Sequence, residues 1–311
     1  MEGSRFAAGN REEIMERQYI KPGFYSDGSP LDRVHYLECK IILKPDGFTS
    51  ANALREYRTT VREAANQTGI TYSAAGMERL QPAVREIRFL DTPDFRLYNN
   101  GFILRQRVRY VDGFPLGAPE IVFKFRHPDL QTAAEHDVRP KFDIRHKIKF
   151  KAEALPLRDR VGGGRMLYSH NVQFGLNEAP EGDRKSLTNL GRAFPCLEAL
   201  RQSEADRVEL VNQAIVEEVL LDLAVLGFGK GVSAKCNVAL WRMRGDHAPL
   251  IGEFAFQARF NRADALHDKA IERARQFFKL LQIIDEERVL LGTTKTGAVY
   301  RLSGNPLQCH E

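Results

Sequence analysis

Arginines at 105, 107 and 109 fall on alternate positions of FILRQRVRYV (102–111), and alternate side chains of a β-strand share one face. Three like charges on one face repel one another. That face is either open water, where the repulsion is screened, or it confronts a strong anion. The same alternation recurs along the chain. Glu38 shares a face with Lys40, Lys124 with Arg126, and Glu135 with Asp137 and Arg139. Glu253 stands in GEFAFQ (252–257) with Ala255 and Gln257, Arg88 in REIRF (85–89), and Lys235 and Arg242 in VSAKCNVALWRMR (232–244). Any one of these patterns alone describes a wetted strand face. Together they form a predominantly basic set with a few carboxylates, the oxygen ligands a hard divalent cation prefers. The chemistry that fits is phosphoryl transfer: cations neutralise phosphate oxygens, a metal bridges them and a carboxylate orients the attacking water.

These residues must be positioned by strands. VHYLECKIILK (34–44) reads as a strand and SANALREYRTTVREAANQTG (50–69) as a helix capped by Ser50. Further strands are expected near 84–91, 102–111, 119–127, 134–139 and 144–152. Residues 153–205, with GGG at 162–164 and NEAPEGDRKS, read as a loop-rich insertion. SEADRVELVNQA (203–214) has the look of a helix start. From residue 215 the rhythm is strand, turn, strand, turn, strand, followed by an amphipathic helix at 262–284. About eight mostly antiparallel strands with a few helices point to an α+β fold or a closed barrel. A closed barrel would gather the alternate residues of every strand into one cavity.

At 311 residues, 43% hydrophobic and 28% charged, the chain has the composition of a globular protein, and its net charge of +5 tilts it toward anionic partners. The longest apolar runs are too short for a membrane-spanning helix, and the first residues lack the apolar segment of a secretory signal. Cys39, Cys196, Cys236 and Cys309 are far apart, so neither a disulfide framework nor a zinc site is expected, and a reducing cytoplasm is the expected location. There is no Gly-rich phosphate loop ending in Lys-Ser/Thr, no HExxH and no nucleic-acid-binding module.

The segment IRFLDTPDFRLYNNGFILRQRVR (87–109) resembles the signature of the CYTH superfamily, the triphosphate tunnel metalloenzymes. LECKI (37–41), VFKFRHP (122–128), EHD (135–137) and GEFAFQ (252–257) resemble that family's first-strand, lysine-bearing, carboxylate and late acidic motifs over roughly residues 34–285. The resemblance implies an eight-stranded antiparallel closed β-barrel with flanking helices, whose tunnel binds a triphosphate or polyphosphate with Mg²⁺ or Mn²⁺. It gives Glu38 and Lys40 catalytic roles. Glu38, Glu135, Asp137 and Glu253 become the expected metal ligands, and Arg88, Arg105, Arg107, Lys124, Arg126, Arg139, Lys235 and Arg242 the expected phosphate-binding residues. The organisation expected is an N-terminal extension (1–30), a tunnel domain (31–285) interrupted at about 153–205, and a C-terminal segment (286–311).

Two positions depart from the family pattern. Tyr36 stands where the first motif glutamate belongs, and Ala255 where the second late glutamate belongs. Losing two acids makes the interior more positive and favours holding an anion over releasing it. Two functions are therefore expected from the sequence: a metal-dependent phosphohydrolase acting on a triphosphate, or a tunnel that binds a phosphate chain and has lost turnover.

Overall fold

The computed structural model describes residues 19–78, 80–179, 181–260, 266–303 and 306. Most of the expected N-terminal extension, Cys309 and the start of the 262–284 helix lie outside these residues.

Among the described residues there are ten strands: β1 (Tyr36–Leu43), β2 (Thr71–Ser73), β3 (Ala83–Asp91), β4 (Phe102–Val111), β5 (Phe114–His127), β6 (Lys147–Leu155), β7 (Arg165–Gly175), β8 (Glu209–Gly229), β9 (Val232–Met243) and β10 (Pro249–Arg259). Nine of them close a ring in the order β8-β3-β4-β5-β7-β6-β1-β10-β9 and back to β8, while β2 hydrogen-bonds to β8 outside it. The expected closed barrel with flanking helices is present. Its ring has nine strands rather than eight, and it is mixed, because β1 runs parallel to β6. Among the described residues six α-helices accompany it: α1 (Ala51–Gln67), α2 (Arg96–Asn99), α3 (Leu130–Glu135), α4 (Leu187–Ala193), α5 (Asp268–Ile284) and α6 (Lys295–Tyr300).

The apolar side chains decide which face of each strand turns inward. Leu37, Cys39, Ile41 and Leu43 of β1 share one buried cluster with Leu54, Tyr57 and Val61 of α1 and Phe277, Phe278 and Leu281 of α5. Inverting the strand would expose those four side chains, at about 1.5–3 kcal/mol for each large one, so Glu38 and Lys40 are driven into the barrel. On the other side of the ring, Leu104, Ile121, Phe123 and Phe174 pack outward against Leu187, Phe194 and Leu197. Their alternate neighbours on β4, β5 and β7 turn inward.

Three expectations need correction. The segment 134–139 is not a strand: Asp129 accepts the Thr132 N–H and starts α3, which carries Glu135 away from the sheet. Residues 153–205 hold the end of β6, all of β7 and α4. The glycines at 162–164 form the turn between two paired barrel strands. The acidic start at 203 leads into β8, because Val211, Ala214 and Val216 bury themselves in a cluster with Ile87 and Phe89 of β3. The strand-turn-strand-turn-strand rhythm from residue 215 is realised as β8, β9 and β10.

Candidate functional site

The ring encloses a cavity of about 320 Å³, lined by nine basic side chains and four acidic ones. Its sign is therefore positive. The register explains the gathering. Ile103 of β4 pairs with Lys124 of β5, Lys124 with Asn171 of β7, and Asn171 with Lys149 of β6, so one layer of the wall carries two lysines on either side of an amide. In the next layer Phe89 pairs with Arg105, Arg105 with Val122 and Val122 with Gln173.

One wall is paired within itself. The Lys40 ammonium lies 3.0 Å from Glu38 and 2.9 Å from Glu153, and Lys151 donates to both Glu38 oxygens at 3.1 Å and to Gln257 at 2.8 Å. Arg126 reaches Glu153 at 3.5 Å. Farther round the ring, Lys295 bridges Glu253 at 2.8 Å and Glu218 at 3.0 Å. Glu218 also takes Arg85 at 3.3 Å and the Trp241 indole N–H at 2.9 Å. Burial alone would raise the Glu38 and Glu153 carboxyls and lower the ammoniums. The surrounding opposite charges win: both carboxyls are held below the usual range, and Lys40 and Lys295 above theirs.

The facing wall is cationic and poorly compensated. Among the described residues, neither Arg105 nor Lys149 reaches a carboxylate within ion-pair distance, Lys124 meets Glu153 only at 4.0 Å, and Arg107 meets Glu120 at 3.4 Å. Burial, reinforced by Arg107, pushes Arg105 down to about 9. Burial and then Lys151 push Lys149 down to about 8, and burial with Arg126 lowers Lys124 strongly. These groups carry a desolvation and repulsion cost that an anion in the cavity would offset.

Of the residues singled out in the sequence, Glu38, Lys40, Arg105, Arg107, Lys124, Arg126 and Glu253 line the cavity. The others do not. Arg88 sits on the opposite face of β3 and pairs with Glu86 at 2.5 Å, so Arg85 is the inward arginine of that strand. Arg139 closes a surface cluster with Asp137 at 2.7 Å, Ser29 at 2.6 Å and the Tyr25 ring at 4.3 Å. Lys235 is exposed, and Arg242 pairs with Glu217 at 2.6 Å outside the cavity. Six contributors escaped the sequence reading: Arg85, Lys149, Lys151, Glu153, Glu218 and Lys295. For Lys149, Lys151 and Glu153 the signal was present as an alternating run. The boundary expected at 153 separates Glu153 from that run, while the two lysines lie inside the strand expected at 144–152. Lys295 gave no signal, since a lysine at a helix start carries no mark of the strands it will meet.

The Asp-Thr-Pro turn positions rather than binds. The Asp91 carboxylate accepts N–H groups from Thr92 at 2.7 Å and from Leu97 and Tyr98 at 2.9 Å, capping α2. It also accepts the Tyr300 hydroxyl of α6 at 3.0 Å. Burial raises its pKa to about 6 against those bonds. Tyr300 stacks on Tyr98 with ring centroids 4.0 Å apart. The turn thereby anchors α6, and α6 delivers Lys295, Thr294 and Thr296 to the cavity.

A closed ring with acids and lysines of β1 facing cations of β4 and β5 is the architecture the resemblance implied. The fold is a closed β-barrel tunnel with one parallel strand pair. The expected metal ligands, however, do not converge. Glu135 is exposed at the end of α3, Asp137 is held by Arg139, and Glu38 and Glu253 each grip a lysine. Among the described residues no group of three or more Asp, Glu, His or Cys side chains could hold a metal ion. The donor set therefore does not fit a divalent cation: ammonium groups occupy the carboxylates such an ion would need. Ala255 lines the cavity opposite Lys40, and Tyr36 is buried with Lys151 5.9 Å from its ring centre, so neither position restores an acid.

No protein-family model and no curated protein matches the sequence. Among solved structures, the chain is similar to a candidate adenylate cyclase from Bacillus halodurans, at 11% identity over 84% of this chain and 95% of that one, with a TM-score of 0.36. It is also similar to a candidate adenylyl cyclase from Hippeastrum described as having a dominant triphosphatase activity, at 12% identity over 89% and 100% of the two chains, TM-score 0.35. A Pyrococcus horikoshii protein follows at 13% identity over 85% and 97%, TM-score 0.31. Likenesses this loose carry no functional argument. Among the described residues, no helix is long and apolar enough to cross a membrane.

Proposed function

We propose that this protein binds a phosphate chain, such as tripolyphosphate, inside its tunnel, and that it does so without a divalent cation. The carrying observation is the wall of buried, undercompensated cations: Arg105, Lys124 and Lys149, with Arg107 beside them. A phosphate chain supplies several closely spaced anionic oxygens. Arginine can meet two of them through its planar fork, while each lysine contributes a point charge. Asn171 and Gln173 add neutral amide donors between the cations. The barrel excludes bulk water, so these contacts act in a medium less polarisable than water and are stronger for it. The lysines across the cavity are already engaged with Glu38, Glu153, Glu218 and Glu253. They frame the bound anion rather than compete for it.

Calorimetric titration with tripolyphosphate, once with chelator and once with Mg²⁺, tests this reading, with a phosphate-release assay run alongside. The expected result is equal affinity in both titrations and no release above background. Phosphate release that requires Mg²⁺ or Mn²⁺ would return the assignment to a metal-dependent phosphohydrolase. Absence of binding in both titrations would remove the phosphate-chain reading altogether.

A further inference from the structure

The strands that present cations to the tunnel carry a second concavity on their outer faces. It has a volume of about 360 Å³ and is lined by Leu90, Leu104, Ile121 and Phe174 on the barrel side and by Phe142 and Leu190 on the covering side. The volume lies within the range of small-molecule sites. In a cluster whose central members are fully buried, Leu90, Phe142 and Leu190 are only half-buried, so apolar surface is left facing this space.

The rim has a definite charge. Lys141, Arg184 and Arg192 stand on it, all three exposed. The Lys141 ammonium meets a carboxylate only at 3.8 Å, and that carboxylate, on Asp137, already receives Arg139 at 2.7 and 2.8 Å. Arg192 meets the neutral Asn189 amide oxygen at 3.4 Å. Asp183 is on the same rim but is doubly bonded by Arg207, which removes it as a counter-charge. Glu181 is the remaining rim acid. An apolar body with one anionic end satisfies both parts of the site: the walls take the body, and the rim cations, Lys141 and Arg192 foremost, take the end. A polyanion would leave the walls uncovered, and a cation would meet like charge at the rim.

We propose that this outer cavity is a binding site for an amphipathic monoanion, a carboxylate on an apolar chain, distinct from the tunnel and independent of what the tunnel binds. Decanoate, decanol and decylammonium, each below its micelle-forming concentration, are the probes, titrated calorimetrically into the intact protein. Decanoate should bind with one-to-one stoichiometry, and decanol and decylammonium at least about tenfold more weakly. In Lys141→Glu/Arg192→Glu, two exposed positions whose change spares the core, decanoate affinity should fall by about tenfold or more. Ala193→Phe, which fills the cavity from its half-buried edge, should abolish binding while thermal unfolding shows the variant folded. Tripolyphosphate titration of the rim variant should match wild type, and decanoate titration of Arg105→Ala should match wild type, which separates this site from the tunnel. Equal binding of all three probes, no decanoate binding, or decanoate binding unchanged in both Ala193→Phe and the rim variant would overturn the proposal.

Discussion

The two walls of the tunnel solve the same electrostatic problem in opposite ways. On β1, β6, β8 and β10, together with Lys295 of α6, each buried carboxylate grips at least one ammonium or guanidinium between 2.8 and 3.5 Å. On β4 and β5, with Lys149 of β6 beside them, the cations are buried without adequate counter-charge, and their pKa values fall. Buried charge held by a partner belongs to the folded state itself. Buried charge without a partner marks the place where a ligand completes the structure. The difference separates a wall that holds itself together from one that an anion would complete.

Disturbing the paired wall should have the largest effect. Glu153→Gln removes the carboxylate shared by Lys40, Arg126 and Lys124 and leaves buried cations uncompensated. It should cost about 3–5 kcal/mol of stability, read as a lowered denaturant midpoint. An unchanged midpoint would mean that the wall does not depend on its ion pairs.

On the open wall, Arg105→Ala or Lys124→Ala should leave the fold intact and weaken tripolyphosphate binding by about 1.5–3 kcal/mol, the scale of a charge-assisted hydrogen bond. Calorimetry decides. Unaltered affinity in both variants would erase the functional distinction between the walls.

A smaller effect should follow from pH. Burial and then Lys151 push Lys149 down to about 8, and an anion favours its protonated form. Below pH 8 the lysine is already charged and contributes no pH dependence. Above it, protein must take up a proton to bind, so affinity should fall by at most about 1.4 kcal/mol per pH unit from this group. Titrations in buffers of different ionisation enthalpy would reveal that uptake, and Lys149→Met should flatten the dependence. The smallest effect belongs to Arg88→Ala and Lys235→Ala, which lie outside the cavity and should change tripolyphosphate affinity by no more than about 0.5 kcal/mol. A larger loss in either would mean that the ligand extends beyond the tunnel.

How much of this was legible follows from the period of a strand. Alternation divides a regular strand into two sets of side chains, and so Glu38 with Lys40, Arg105 with Arg107, and Lys124 with Arg126 were grouped correctly, whereas a register shift after Arg107 leaves Arg109 exposed and outside the cavity lining. It does not say which set turns inward. On β1 the apolar alternate set settled that question by finding α1 and α5. On β3 the inward set is Arg85 and Phe89, whereas the sequence reading chose Arg88. Asp137 and Arg139 gave the same alternating signal, yet they lie in the loop that follows α3 and were never on a strand.

By itself the sequence determined the strand-rich class, the capped helix at 51–67 and the excess of cations at alternate strand positions. Those features depend on neighbours a few residues apart, and short-range periodicity records them. Only the tertiary structure decided that the ring has nine strands with β1 parallel to β6, that Glu153 is the hub of the paired wall, and that Lys295 takes the space between Glu218 and Glu253. Each of these joins groups from distant parts of the chain. Their charges interact only because barrel closure brings them within a few ångströms in a space from which water is largely excluded, and no local pattern encodes that approach.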